Sequence, residues 1–347
     1  MTDKNFEEIP VIDLEYLKYT NPQKLAEQLR DICHNVGFFV VTNHGIANEV
    51  MENTFAISKK LFALPLERKQ LIDKRNSPHF MGWEAVGSEL TNNQTDYREQ
   101  VDIWSEHPVK DKTIEPIYYR LHGPNQWLPD SILPNYKQTV NQFREGVNNL
   151  ANELMRLLAV GLELSPNYFT ERFGKEQMSL TKLIHYPTTP EGEYGVNEHL
   201  DGGFLTVLAA GETPGLQVKN SADEWIPVPI IPNAFVINLG EMLQAMTGNY
   251  YVATLHRVFT NAERYSIAYF HGPSLDTPLS PAPLQSKFMQ AVADSPYHAS
   301  AGYMSDAQDT SGTAGTKGQM NAPAVGEHIW HYLSRSYPKN MKRHYGE

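Results

Sequence analysis

The sequence predicts an α+β protein in which a β sandwich or barrel carries helices on its outside. Three observations lead there. Between about residues 178 and 272 the chain breaks into short β-rich runs, LTKLIHYP, FLTVLAAG, GLQVKN, WIPVPI, AFVINLG, VATLHRVF and RYSIAYFHG, punctuated by Gly, Pro and Asn. Ahead of this block Tyr136, Val140, Phe143, Val147, Leu150, Leu154, Leu157 and Leu158 recur mostly three or four apart, the period of an amphipathic helix. Behind it EHIWHYLSRSY at 327–337 is again helix-like. A β core with helices outside buries both kinds of apolar face.

Taken in order, IPVIDL at 9–14 reads as an opening strand. Asn21-Pro22 then starts a helix, with Asn as cap and Pro in the first turn. Its apolar stripe is Leu25, Leu29, Ile32, Cys33 and Val36, and Gly37 supplies the stop. FFVVTN at 38–43 is a buried strand, and Val50, Met51, Phe55 and Phe62 mark a second helix ending before Pro65. Residues 76–134 lack a sustained period and read as mostly loop with short strands. The long helix spans 135–164, up to the Ser165-Pro166 break. Residues 304–323, rich in Ser, Thr, Gly, Asp and Gln, are expected to form a mobile loop. With no internal repeat and no linker, one domain is expected over 1–347: a mixed N-terminal region (1–134), the supporting helix (135–164), a β core (178–275), the loop, and a C-terminal helical segment (324–347).

Composition narrows the function. Cys33 is the only cysteine, so an intramolecular disulfide and a cysteine-based zinc cluster are excluded; any metal must bind His and carboxylates. The formal charge of -11, without a basic block, argues against a nucleic-acid partner or an anionic membrane surface and favours a small-molecule substrate. No apolar run approaches membrane-spanning length, and MTDKNFEEIPVIDL lacks the basic start and apolar stretch of a secretory signal, so the cytoplasm is the expected location. Oligomeric state cannot be read.

The candidate chemistry lies in the β block. His199 and Asp201, in NEHLDGG, are two apart, and on an extended segment such residues share a face. The pair alone is weak, because 13 histidines produce a His-x-Asp by chance in roughly half of such chains. His256 in VATLHRVF adds a third ligand on a strand face expected to hold Val252, Thr254 and Val258 too. Two His and one carboxylate form the facial triad that leaves iron three open positions, although the same three side chains also suit zinc. Eight residues on, Arg264 and Ser266 share a face at the start of RYSIAYF; an arginine fork matches a carboxylate, and the hydroxyl adds a hydrogen bond. His328, His331 and His344 read as exposed helix residues, His185 as turned away by strand alternation, and Phe80, Trp83 and Phe270 as pocket or core aromatics.

The order of these parts resembles the isopenicillin N synthase-like branch of the 2-oxoglutarate and Fe(II)-dependent oxygenases. The likeness runs through IPVIDL, GFFVVTNHGI, LPLERK, LIHYP, NEHLDGGFLTVL, GLQV, NLGEMLQAMTGN, TLHRV and ERYSIAYF. It implies a double-stranded β-helix (jelly-roll) core with flanking helices. It further implies Fe(II) held by His199, Asp201 and His256, 2-oxoglutarate held at its distal carboxylate by Arg264, Ser266 and Tyr186, and O2 as oxidant. The implied reaction releases succinate and carbon dioxide and hydroxylates a small molecule. Ile184-His185-Tyr186-Pro187 departs from the Asn-Tyr-Tyr-Pro of many plant members. Two alternatives stand beside this reading: an oxidase of the isopenicillin N synthase kind that does not use 2-oxoglutarate, and a non-catalytic jelly-roll binding protein.

Overall fold

The computed structural model describes residues 5–15, 19, 21–91, 94–111, 113–190, 192–300 and 324–346, so the loop expected at 304–323 lies outside the described residues. The chain opens with β1 (Val11–Asp13), α1 (Pro22–Asn35), β2 (Phe38–Thr42) and α2 (Asn48–Phe62). The Asn21 side chain accepts from the Lys24 N–H at 3.0 Å and Pro22 sits in the first turn of α1, as the sequence predicts. Leu25, Leu29 and Cys33 form its buried stripe. Gly37 then turns the chain with φ +69°, and its N–H bonds the Ile32 carbonyl at 3.1 Å. A Cβ here would lie 2.3 Å from the Val252 carbonyl oxygen, so the position demands glycine twice over.

The stretch 76–134 is mostly loop with short strands, as expected. It holds β3 (Gly82–Glu84), β4 (Leu90–Thr91), β5 (Gln94–Thr95) and β6 (Glu99–Trp104). Strand β6 is buried along its whole length although Glu99, Gln100 and Asp102 belong to it, and those polar residues masked its period. The long helix α3 (Tyr136–Gly161) follows, its stripe buried as the periodicity predicts; residues 162–164 form its terminating turn.

The β block supplies β7 (Leu180–Tyr186), β8 (Val196–His199), β9 (Leu205–Ala209), β10 (Leu216–Lys219), β11 (Trp225–Pro227), β12 (Phe235–Leu239), β13 (His256–Val258) and β14 (Arg264–His271). A short helix α4 (Glu241–Met246) follows β12, and α5 (Val325–Ser336) and α6 (Pro338–His344) close the chain. The strands form an eight-stranded sheet, order β1-β2-β12-β9-β14-β7-β6-β3, a four-stranded sheet, order β11-β10-β13-β8, and a two-stranded sheet of β4 with β5. The two larger sheets make the jelly roll flanked by helices. VATLHRVF is strand only from His256 onward, so Val252 and Thr254 do not share its face in the expected way.

Alternation along the large sheet separates two cores. Leu183, Val207, Ile237 and Ile267 pack outward with α1 and α3 in one cluster, whereas Ile184, Tyr186, Val236 and Ala268 point inward to Val196, Leu216, Val218 and Val258 of the small sheet. The site lies on the inward side. No helix among the described residues is long and apolar enough to cross a membrane.

The double demand on Gly37 gives a stability test. Gly37→Ala should lose about 2 kcal/mol or more, since a left-handed backbone and a collision with a carbonyl act together. Urea unfolding monitored by circular dichroism measures this, and an unchanged midpoint would refute the assignment.

Candidate functional site

Strands β8 and β13 pair antiparallel and place His199 opposite His256 at the edge of the small sheet, with ring centroids 4.2 Å apart. Asp201 is not on the strand, as in-strand alternation had suggested. The chain leaves β8 at His199, and a turn brings Asp201 back, with Oδ1 3.7 Å from Nε2 of each histidine. One ligand atom from each residue lies within 4.8 Å of the others, the single such group of His, Cys, Asp or Glu among the described residues.

The surroundings orient each group. His199 Nδ1 meets the Asn197 carbonyl at 2.9 Å and His256 Nδ1 the Thr254 carbonyl at 3.1 Å. A carbonyl only accepts, so each Nδ1 carries the proton and each Nε2 lone pair is left for a metal. Asp201 Oδ2 accepts from Thr206 Oγ1 at 2.5 Å and Asn238 Nδ2 at 2.7 Å, which reserves Oδ1 for an ion. Thr206 on β9 and Asn238 on β12 are register partners, so the large sheet itself aims the carboxylate held by the small sheet's loop.

Protonation follows from burial. Burial pushes His256 down to about 4, helped by the adjacent His199 and opposed by Asp201, and burial likewise lowers His199. For Asp201 burial works against the charge. The two imidazoles and the Thr206 and Asn238 hydrogen bonds outweigh it and hold the carboxyl below its ordinary range. Neutral imidazoles beside a carboxylate are the state that a divalent ion requires, and protons compete for His256 only well below pH 6.

Behind the triad, on the inward face of β14, lie Arg264 and Ser266, each 1% exposed. Arg264 Nε and Nη1 and Ser266 Oγ have no hydrogen-bond partner. Tyr186 stands opposite Arg264 in register, its ring 4.9 Å from the guanidinium carbon. Burial lowers the Arg264 pKa, with Tyr186 opposing. Leaving such donors unfilled costs about 1–3 kcal/mol per group, so they form a cradle shaped for a carboxylate.

The other sequence candidates separate cleanly. His185 faces outward, 2.9 Å from both Glu99 and Glu263. His344 Nε2 contacts the Arg75 carbonyl at 3.0 Å, and neither it nor His331 joins the triad; His328, expected to be exposed, is instead part-buried on the wall of the cavity beside the triad, without being one of its three members. Phe80 and Trp83 are core residues, whereas Phe270 lines a cavity of about 210 Å³ that borders His199 and Asp201. Trp104, Leu180 and, from α5, Ile329, Tyr332 and Leu333 also wall it. Sequence reasoning missed Thr206, Asn238 and the charged residues of β6 and β7. A lone Asn inside AFVINLG was the available signal for Asn238.

A jelly roll with two histidines and a carboxylate at one edge and a buried arginine behind them has the form of a non-haem iron oxygenase. Comparison with known proteins bears this out. Residues 9–130 match the model described as the non-haem dioxygenase in morphine synthesis N-terminal region, and residues 176–273 match the 2OG-Fe(II) oxygenase superfamily. A 2-oxoglutarate-dependent dioxygenase of Gibberella zeae is 33% identical over 270 residues, covering 75% of this chain and 70% of that protein. A 1-aminocyclopropane-1-carboxylate oxidase of Dictyostelium mucoroides is 30% identical over 312 residues, 79% of this chain and 84% of that one. The crystal structure of JOX2 in complex with 2OG, Fe and JA superposes with TM-score 0.67 at 29% identity, covering 80% of this chain and 78% of that chain. The chain belongs to the 2-oxoglutarate and Fe(II)-dependent oxygenase superfamily, in agreement with the isopenicillin N synthase-like resemblance. It is an oxidoreductase that uses iron and 2-oxoglutarate.

The tether on Asp201 is testable. Thr206→Val removes one donor without changing the side chain's shape, and loss of such an outer partner typically weakens metal binding 10–100-fold. Anaerobic Fe(II) titration should show a loss in about that range with the fold intact. Wild-type affinity would mean that Thr206 does not position the carboxylate.

Proposed function

We propose that His199, Asp201 and His256 hold Fe(II), that Arg264 and Ser266, with Tyr186, hold the distal carboxylate of 2-oxoglutarate, and that the enzyme hydroxylates a small molecule in the adjoining cavity. One observation carries this reading: the unfilled buried donors of Arg264 and Ser266 lie inside the same barrel as two histidines and an aspartate whose ligand atoms all lie within 4.8 Å of one another. Zinc alone would need no such cradle. When bound, iron with 2-oxoglutarate and O2 supplies the oxidation, which yields succinate, carbon dioxide and oxidised substrate.

The chain's own residues set the conditions for that chemistry. The neutral Nε2 atoms of His199 and His256 and Asp201 Oδ1 would hold the ion, and three protein ligands are fewer than iron accepts, which would leave room for co-substrate and O2. The Arg264 fork gives the co-substrate one orientation, and Ser266 adds a donor from the same strand face. The apolar walls from Trp104, Leu180, Phe270 and α5 keep water from the target carbon. We further propose that 1–347 acts as one oxygenase domain, without a nucleic-acid or membrane partner, in the cytoplasm. Net acidity and the single buried cysteine support this.

Replacing His199, Asp201 or His256 by Ala should abolish turnover and strip iron while circular dichroism is unchanged. Arg264→Ala should raise the 2-oxoglutarate requirement by about two orders of magnitude, because it removes the co-substrate's buried cationic partner, while iron content holds. Arg264→Lys should recover only part, since a point charge does not reproduce the fork. Anaerobic titration of the Fe(II) protein reads this through the visible band of the chelated keto acid. If wild-type protein consumed oxygen with neither band nor succinate, the oxidase reading would replace this one, and Arg264 would hold the substrate's own carboxylate.

A further inference from the structure

The charged side chains on the wall of the cavity beside the triad are already paired. Glu89 accepts from Arg98 at 2.5 Å, Gln100 at 2.8 Å, Tyr332 at 3.2 Å and Lys182 at 3.3 Å. Asp102 meets Lys74 at 2.7 Å with one oxygen and Lys182 at 3.6 Å with the other, and Arg98 also reaches Asp96 at 3.2 Å. Asp201 belongs to the proposed ion. His328 adds no charge, because burial lowers its pKa and favours the neutral ring. An acid or a base brought into this cavity would give up water for groups that are matched to one another and hold no counter-charge for it.

The rest of the wall is largely apolar, and much of it comes from one helix. Val325, His328, Ile329, Tyr332 and Leu333 of α5 border the cavity with the spacing of a single helix face. Three attachments fix that face. The first N–H groups of α5, from Val325 and Gly326, bond the carbonyls of Thr277 at 2.9 Å and Leu275 at 2.7 Å. Tyr332 donates to Glu89 midway along. Just past the helix end, the Tyr337 hydroxyl accepts from Lys74 at 2.9 Å and donates to Glu84 at 3.1 Å. A Cβ on Gly326 would lie 2.5 Å from the Tyr118 ring, so the start of α5 is seated as closely as a glycine allows. The buried ion pairs are thus the socket of a fixed wall. At about 210 Å³ the space behind it is smaller than the roughly 300–1,000 Å³ usual for small-molecule sites.

We infer that the primary substrate is an uncharged, compact and mainly apolar molecule, and that α5 sets its size limit through Ile329. The inference rests on the oxygenase reading and names the substrate class of that same site. Ile329 is the middle of the stripe, one turn from both Val325 and Leu333, so its bulk bears most directly on the room available.

The test uses the whole enzyme, anaerobic and loaded with Fe(II) and 2-oxoglutarate, and reads binding as a shift of the keto-acid band. Three probes share one ring and differ in charge: cyclohexanone, cyclohexylamine and cyclohexanecarboxylate. At pH 7 cyclohexanone should bind at least about tenfold more tightly than either ionised probe. An ionised probe that bound as tightly, or a neutral ring that did not bind at all, would overturn the substrate class and leave the oxygenase reading standing. Size is read with the two-ring ketone 2-decalone. Ile329→Ala should improve 2-decalone relative to cyclohexanone by at least about fivefold, and Ile329→Trp should weaken cyclohexanone at least about tenfold while the band itself forms as in wild type. Relative affinities unchanged in Ile329→Ala would remove Ile329 from the size limit, even where Ile329→Trp folds poorly. Absence of the band in wild-type protein would instead remove the oxygenase reading, and this inference with it.

Discussion

The pairing of β13 with β8 is the contact on which the site depends. It fixes His256 opposite His199, so that two imidazoles enter one small volume from neighbouring strands and a single turn is enough to bring Asp201 to both. A one-residue slip would send one ring to the far side of the sheet and leave two members of the proposed metal site. The large sheet depends on the same register, because Thr206 and Asn238 grip an aspartate that belongs to the other sheet. The geometry of the His199, Asp201 and His256 group is therefore also sheet-to-sheet geometry.

Much of this was legible in the sequence, for identifiable reasons. Asn21-Pro22 and Gly37 bounded α1 because capping and left-handed turns impose local residue requirements that no distant contact overrides. The α3 stripe was readable because the helix buries one side only. His199, Asp201, His256, Arg264 and Ser266 were singled out by their types and order, and the structure brings His199, Asp201 and His256 together and buries Arg264 and Ser266 on the inward face. Strand β6 was obscured for the opposite reason: an inward face carrying Gln100 and Asp102 carries no hydrophobic period to detect. The turn that delivers Asp201 was misjudged as strand, since two-residue spacing suits either geometry.

The charge cluster of β6 and β7 was illegible for a further reason. Arg98, Asp102 and Lys182 are ordinary polar residues in sequence, and only register shows that they meet Glu89 and a C-terminal tyrosine from 243 residues away. A surface ion pair and a buried one look the same in a string of letters, yet exposed pairs contribute about 0–1 kcal/mol and a buried unpaired charge costs several.

That difference explains why functional polarity sits on one face of the large sheet. Its outward residues, Leu183, Val207, Ile237 and Ile267, meet α1 and α3 in a continuous apolar cluster. Each contributes about 1.5–3 kcal/mol by burial, so a few of them offset the roughly 1–3 kcal/mol lost for each unfilled donor at Arg264 or Ser266. The inward face holds the two sheets together through Ile184, Val236 and Ala268 and still has positions left for polar groups. It can keep two guanidinium nitrogens of Arg264 and the Ser266 hydroxyl without a hydrogen bond, and each unfilled donor then adds to the affinity of whatever completes it. Strand alternation thus gives one sheet an outward face that is apolar throughout and an inward face that combines a second apolar core with the polar groups of the site, and a substitution's consequence depends first on which face its position along the strand occupies.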